Sequence, residues 1–327
     1  MDFNDIEKYY YSSNIKCILN FYYKIRSFDE IMNFIHNIPD PEIGIEIEHE
    51  NADNEIVMVV PSPDVNDTYS TNLIKNFSKF KIIFSVSKGK YFNFSKSMNV
   101  GINTALKYNP KWIILSNVDV EPISNFDNIA RQLNNINADI IIPRMVDENQ
   151  KVHNITFLNK TGNFTNNLFH LFSPLNTFLP VYSRGQFILS NIPMTKNEQF
   201  IRFIQTTYKF NNYNGNLDLN DIQYNFISKY IYKKSLYYVN IQPFSIIKSS
   251  VLKDNKFDED FINGGEDTEL AIRLLRKHYK FALIDVSVKR YTGTYLGVNE
   301  TRLLRNSLMS LLLLGKKLKE SDFIRHE

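Results

Sequence analysis

The sequence predicts an α/β fold: a mostly parallel central sheet flanked by helices, broken by a helical or irregular insertion and ended by a C-terminal helix. Two observations carry this. Short apolar, β-favouring runs at 56–60 (IVMVV), 81–86 (KIIFSV), 112–115 (WIIL) and 139–143 (DIIIP) alternate with stretches whose apolar residues fall at helical spacing. Runs this continuously apolar suit strands buried on both faces, and strands separated by helices pair in parallel. The alternation then stops near residue 146 and resumes near 236, which divides the chain.

Taken in order, residues 1–14 are polar and aromatic and read as an N-terminal arm. Residues 15–21 (IKCILNF) read as the opening strand, and 28–35 as a helix that Pro39 and Pro41 terminate. Residues 43–50 alternate and fit an extra strand or hairpin arm. The strand 56–60 runs into Pro61-Ser62-Pro63-Asp64, a turn that cannot continue a ladder because proline has no N–H. Residues 68–80 fit a helix. After the strand at 81–86, Met98, Ile102, Ala105 and Leu106 share one helical face. The strand at 112–115 ends in Ser116-Asn117-Val118-Asp119, and Pro122 is expected to stop the ladder.

Residues 146–235 are rich in Asn, Phe and Tyr, with helical patterns at 196–210 and 219–232. They read as an insertion that serves as a lid or packing module, or shapes an acceptor side. Residues 236–247 read as a strand pair. A tight Gly264-Gly265 loop then opens a helix near Glu266, whose Leu270, Leu274 and Leu275 face the core and whose Glu269 and Arg273 form an i,i+4 pair. A late strand follows at 281–288, and Asn299 caps a final helix. The expected organisation is an arm (1–14), two halves of one domain (15–145 and 236–298) around the insertion (146–235), and a C-terminal amphipathic helix (299–327).

With 327 residues, 43% of them hydrophobic, the chain can bury a sizeable core. A net charge of +3 is too small to point to nucleic acid; it fits an anionic substrate or a solvated basic surface. The single cysteine, Cys17, rules out a disulfide within the chain, and a reducing, cytoplasmic compartment is expected. The acidic, aromatic start does not resemble a signal peptide, and no apolar run approaches the roughly 20 residues of a membrane span. The final helix, with Arg302 and Arg305 beside an apolar run at 308–314, can lie peripherally on an anionic membrane or pack on its own domain, the commoner fate of amphipathic helices. The six histidines lack zinc-ligand spacing, and no glycine-rich phosphate loop follows a strand.

Two places can carry chemistry. Asn117 and Asp119 stand at the carboxyl end of a strand, where open α/β sheets bind ligands; the plainer reading is a turn. Glu266 and Asp267 follow two glycines at a helix start. The helix-end potential is expected to keep both ionised, so that one can act as a general base; the plainer reading is a helix cap.

The series Phe92-Asn93, Asn99-Val100-Gly101, Ala105-Leu106, Ser116-Asn117-Val118-Asp119, Phe257-Asp258-Glu259 and Gly264-Gly265-Glu266-Asp267-Thr268-Glu269-Leu270, with Arg273, resembles nucleotide-sugar glycosyltransferases of the GT-A fold. It is similar to the family-two inverting enzymes and to galactosyltransferases with an FN…NVG…DVD…GGED series. The resemblance covers about residues 15–145 and 236–310 and has no counterpart for the insertion. It implies a Rossmann-like sheet and transfer of a sugar, by default from a UDP-sugar, to a hydroxyl on a glycan, protein or lipid-linked acceptor, with inversion. Asp267 would be the general base, with Glu266 beside it and Gly264 and Gly265 lining the acceptor side. Asp119 would be the last acid of the DxD motif, near the donor diphosphate and any metal, with Asn117 in place of the first acid. Lys96 and Asn99 would lie on the nucleotide side, and Asp64 at the turn that holds the base and ribose. No organic cofactor is implied.

Three departures bear on the metal. The motif is Asn-Val-Asp, prolines stand where acids are expected after the second strand, and Arg290 or Tyr291 replaces a late histidine ligand. Either Asp119 binds a divalent cation (Mn or Mg) weakly, or Arg290 with Lys96 neutralises the leaving diphosphate. Two other functions remain open: a sugar nucleotidyltransferase, and a non-catalytic glycan-binding protein on a degenerate GT-A fold.

Overall fold

The computed structural model describes residues 3–14, 17–18, 21, 28–126, 129–146, 241–291, 305–306, 309 and 313. The helices expected at 196–210 and 219–232, the strand residues 236–240 and most of the final helix lie outside the described residues. In chain order the elements are α1 (Phe3–Tyr10), α2 (Phe28–Asn37), β1 (Ile43–Glu48), β2 (Ile56–Ser62), α3 (Thr68–Asn76), β3 (Lys81–Ser87), α4 (Phe94–Leu106), β4 (Trp112–Ser116), β5 (Val120–Pro122), α5 (Ile129–Asn135), β6 (Ile140–Val146), β7 (Phe244–Lys248), α6 (Ser249–Asp254), α7 (Glu266–Arg276) and β8 (Phe281–Arg290).

The strands form one sheet in the order β1-β3-β2-β4-β7-β6-β8-β5. Strand β2 runs parallel to β3 and β4, and β6 parallel to β8. The expected parallel arrangement therefore holds for the β3-β2-β4 unit and the β6-β8 pair. Elsewhere the sheet is antiparallel: β7 enters against both β4 and β6, and the edges β1 and β5 run against β3 and β8. The result is a mixed α/β sheet. Along β2 and β4, Val57, Val59, Ile113 and Leu115 face one apolar cluster while Met58, Val60 and Ile114 face the other. Burial on both faces is why these strands read as unbroken apolar runs.

The opening strand expected at 15–21 is not one. Cys17, Ile18 and Phe21 are helical, and among the described residues the first strand is β1. Ile18 and Phe21 are both buried, and Phe21 packs in an aromatic group with Tyr10 and Phe34 at centroid distances of 5.2 and 5.3 Å. Spacing of three residues brings both side chains to one helical face. The described part of the final helix packs inward: Arg305 is buried, its guanidinium 4.8 Å from the Tyr10 ring centroid and 5.0 Å from that of Tyr11, and Met309 and Leu313 join the core. Among the described residues no helix is long and apolar enough to cross a membrane.

Helix α4 rides directly on β2. A Cβ added at Gly101 would lie 2.4 Å from Val59 Cγ1. Glycine costs about 1 kcal/mol against alanine inside a helix, and here it permits the close approach. Gly101→Ala is expected to destabilise the fold by about 1–3 kcal/mol through overpacking, measured by urea unfolding. Val59→Ala in the same chain should relieve the clash, so the double variant loses less than the sum of the two single losses.

These pairings bring the carboxyl ends of β2, β3, β4, β6 and β8 to one edge of the sheet. The start of β7 lies there too, since Phe244 pairs with Ser116.

Candidate active site

At that edge β4 gives way to the Asn117–Asp119 turn. The Ser116 hydroxyl donates to the Asn117 carbonyl (2.8 Å), and the Asn117 N–H donates to the Pro243 carbonyl (2.9 Å). The chain then becomes β5, whose Val120 pairs with Arg290 of β8, and Tyr291 N–H donates to the Asp119 carbonyl (3.0 Å). This register sets Asp119 against Arg290. The Asp119 side chain is buried, with Oδ2 3.4 Å from the Arg290 Nε, and Arg290 remains one-third exposed. Two acceptors here lack a hydrogen-bond partner: Asn117 Oδ1 and Asp119 Oδ1, both removed from solvent. Each such oxygen costs about 1–3 kcal/mol of lost solvation. Together they mark unmet acceptor capacity at the strand end, and the half-open guanidinium beside Asp119 offers a cation to a ligand phosphate.

Tyr291, which stands at the late-histidine position, borders this place with side chains not anticipated from sequence. Tyr291 donates its hydroxyl to the Glu121 carboxylate, Lys289 Nζ lies 4.4 Å from the Tyr291 ring centroid, and the Tyr69 ring lies 6.2 Å away at the start of α3. Asp67 caps α3, accepting from the N–H groups of Tyr69 and Ser70. A capping Asp two residues before an aromatic was the available signal for Tyr69. Asp64 shapes the preceding turn: its carbonyl accepts from the hydroxyls of Ser62 and Ser70, and its Oδ1 from the Asn66 N–H.

At the start of α7, Gly264 and Gly265 have φ of 122° and 84°, the left-handed region that favours glycine. Glu266 is buried, and its Oε2 accepts from the Gly264 N–H. Burial, and then the adjacent Asp267 carboxylate, push the Glu266 carboxyl up to about 8. The helix-end potential does not keep Glu266 ionised, because loss of water outweighs it. At neutral pH Glu266 is a protonated brace, and Asp267 beside it is half-buried.

The folded-state value lies above the ordinary glutamate value of 4.5, so between about pH 4.5 and 8 the folded state binds more protons than the unfolded. Glu266 therefore lowers stability as pH rises through that window. Replacing it by Gln removes the dependence: Glu266→Gln is expected to gain on the parent as pH rises, by at most about 1.4 kcal/mol per pH unit. Urea unfolding at several pH values measures this, and parallel curves for the two proteins would refute it.

Asn99 and Lys96 are occupied. Asn99 is buried, its Nδ2 donating to the Phe257 carbonyl (3.0 Å) and Glu259 Oε1 (2.8 Å) and its Oδ1 accepting from the Phe257 N–H (2.9 Å). Lys96 pairs with Asp40. The Asn99-Val100-Gly101 and Phe257-Asp258-Glu259 motifs are thus two sides of one contact. Asp119 and the Glu266–Asp267 pair share the carboxyl edge, but α7 buries Leu270, Ala271 and Leu274 in one core layer whereas Val118 and Val120 flank Asp119 in the other.

Among the described residues no three His, Cys, Asp or Glu side chains cluster as a metal site. The donor set at the Asn-Val-Asp motif is one carboxylate and one amide oxygen, with a guanidinium against the carboxylate. A hard divalent cation takes six or more oxygens and favours carboxylates, so these residues fit it poorly. A cavity of about 330 Å³ lined by Leu106, Asn109, Pro110, Ser249, Ser250 and Lys253 lies at the opposite edge, away from this chemistry.

The chain matches no family model and no curated protein. Among solved structures it is similar to A197 from STIV, at 9% identity and a TM-score of 0.36, over 75% of this chain and 87% of that one. It is also similar to S. aureus TarS 1–349 in complex with UDP, at 12% identity and a TM-score of 0.37, over 82% of this chain and 59% of that one. For S. aureus TarS 1–349 the values are 10% and 0.36, over 83% and 66%. The chain spans less than two thirds of either TarS chain. At these TM-scores the likeness carries no weight for function, which rests on the geometry of the site.

Proposed function

We propose that this chain is a glycosyltransferase that moves a sugar from a nucleoside diphosphate sugar, with UDP the first nucleotide to test, to an acceptor hydroxyl with inversion. The observation that carries this reading is the pair of buried, unpartnered oxygens of Asn117 and Asp119 at one strand end, with Arg290 against the Asp119 carboxylate. Acceptor oxygens suit the hydroxyls of a sugar or ribose, and a guanidinium suits a diphosphate. Asp267 takes the acceptor proton as the new C–O bond forms at the anomeric carbon. The bond from that carbon to the diphosphate breaks, its electron pair leaves on the phosphate oxygen, and Arg290 takes up the growing charge. A single displacement inverts the configuration. The poor fit for a metal supports giving this neutralisation to Arg290, with no step through a cation.

The test is a thermal-shift titration with UDP, other nucleoside diphosphates and nucleotide-sugars, each with EDTA and with manganese. A ligand at 100 times its dissociation constant stabilises the fold by about 2.7 kcal/mol. A shift that EDTA leaves intact is expected. A shift that appears only with manganese would refute the metal-free site, and none with any nucleotide would refute the transferase. Donor hydrolysis without acceptor separates a catalyst from a glycan-binding protein on the same fold.

A further inference from the structure

We infer that Asn99 is a positioning residue for the transfer step: through the 256–262 loop it sets the start of α7, which carries Asp267. This rests on the transferase reading above. The first half of α4 grips the loop along its length. Asn99 holds both backbone groups of Phe257 and the Glu259 carboxylate. Asn93, which also caps α4, donates to the Glu259 carbonyl (3.0 Å); Ser95 donates to the Phe261 carbonyl (2.8 Å); and the Phe94 N–H donates to the Ile262 carbonyl (2.8 Å). The loop base is tied to α7 itself, since Arg273 donates to the Lys256 carbonyl (2.6 Å) while paired with Glu269 at 2.7 Å.

Beyond Ile262 the chain passes through Gly264 and Gly265, both at positive φ, straight into α7. Two consecutive glycines impose little direction of their own. The aim of α7 is therefore set by what grips the chain on either side of them. The Asn99 amide bonds two acceptors and one donor of the loop and is buried, so it acts through the loop and not on a ligand. A displacement of about 1 Å at a reacting group can cost 10²-fold in rate.

Asn99→Asp keeps the shape, removes both donated bonds and sets a carboxylate against Glu259. The expected result is faster hydrogen exchange in the 257–262 peptides and a loss in kcat of at least about tenfold, with nucleotide Kd changed less than about twofold. Adding Glu259→Gln supplies a donor to that carboxylate and should restore part of kcat and of the protection. Ser95→Ala, which removes only the Phe261 bond, should show the same pattern more weakly and serves if Asn99→Asp fails to fold. A loosened loop with unchanged kcat would overturn the inference alone. So would a tenfold loss of nucleotide affinity, which would put Asn99 at the donor. An inactive parent chain would overturn the transferase itself, and hydrogen exchange would still report whether the loop is held.

Discussion

Asp267→Asn is expected to lower turnover by about 10²–10⁴-fold, the usual worth of a positioned general base. The assignment comes from the two carboxylates at the start of α7 having different environments. Glu266 is buried and braced on the Gly264 N–H, and its carboxyl lies near 8, so at neutral pH it keeps its proton and cannot accept another. Asp267 is half-buried, and its charge is one of the causes that hold Glu266 protonated. The asymmetry separates the variants. Glu266→Gln replaces a neutral acid by a neutral amide and should leave kcat at neutral pH within about threefold, whereas Asp267→Asn removes the acceptor of the proton. Nucleotide affinity should survive in both, because neither residue belongs to the Asn117–Asp119–Arg290 group. Steady-state kinetics with nucleotide titration as a control decide this. A loss under tenfold in Asp267→Asn, or a larger loss in Glu266→Gln, would move the base elsewhere.

Strands β2, β3 and β4 were legible because burial on both faces writes an apolar run with no alternation to misread. Residues 15–21 misled, since Ile18 and Phe21 serve a helix: an apolar run this short fits both periods. Pro122 is the last residue of its ladder. It pairs with Val288 at the end of β5, an edge strand of three residues, where a missing N–H leaves no neighbour unsatisfied. The direction of β7 was hidden because the route into it runs through 146–240. Asp119 could be read from its strand end. Its contact with Arg290 depends on the β5–β8 register across 171 residues, and no local pattern encodes that. Asn99 stood out as a polar residue on a helical face, but the loop it holds could not be read from the sequence. Its partners lie 158 residues or more away and only the fold brings them together.

Exchanging the members of the Asp119–Arg290 pair should move nucleotide affinity in opposite directions. Arg290→Ala removes the cation and leaves Asp119 buried with its charge uncompensated, so a diphosphate meets a lone carboxylate. Nucleoside diphosphate affinity should fall by about ten- to a hundredfold, the worth of one charge-assisted hydrogen bond. The fold should lose about 1–2 kcal/mol, less than a fully buried pair would, because Arg290 is one-third exposed and the contact is 3.4 Å. Arg290→Lys keeps the charge but not the planar fork and should fall in between. Asp119→Asn frees the guanidinium from its counter-charge while keeping the shape. A free nucleoside diphosphate should then bind as tightly as to the parent or tighter, even if a nucleotide-sugar, which also uses the Asp119 oxygen, binds more weakly. A site in which Asp119 held a divalent cation predicts the reverse: Asp119→Asn would abolish manganese-assisted binding, and Arg290→Ala would spare it. Isothermal titration of UDP into the three variants, with EDTA and with manganese, reads the sign of each change directly. The sign decides between guanidinium and metal whatever the sugar proves to be.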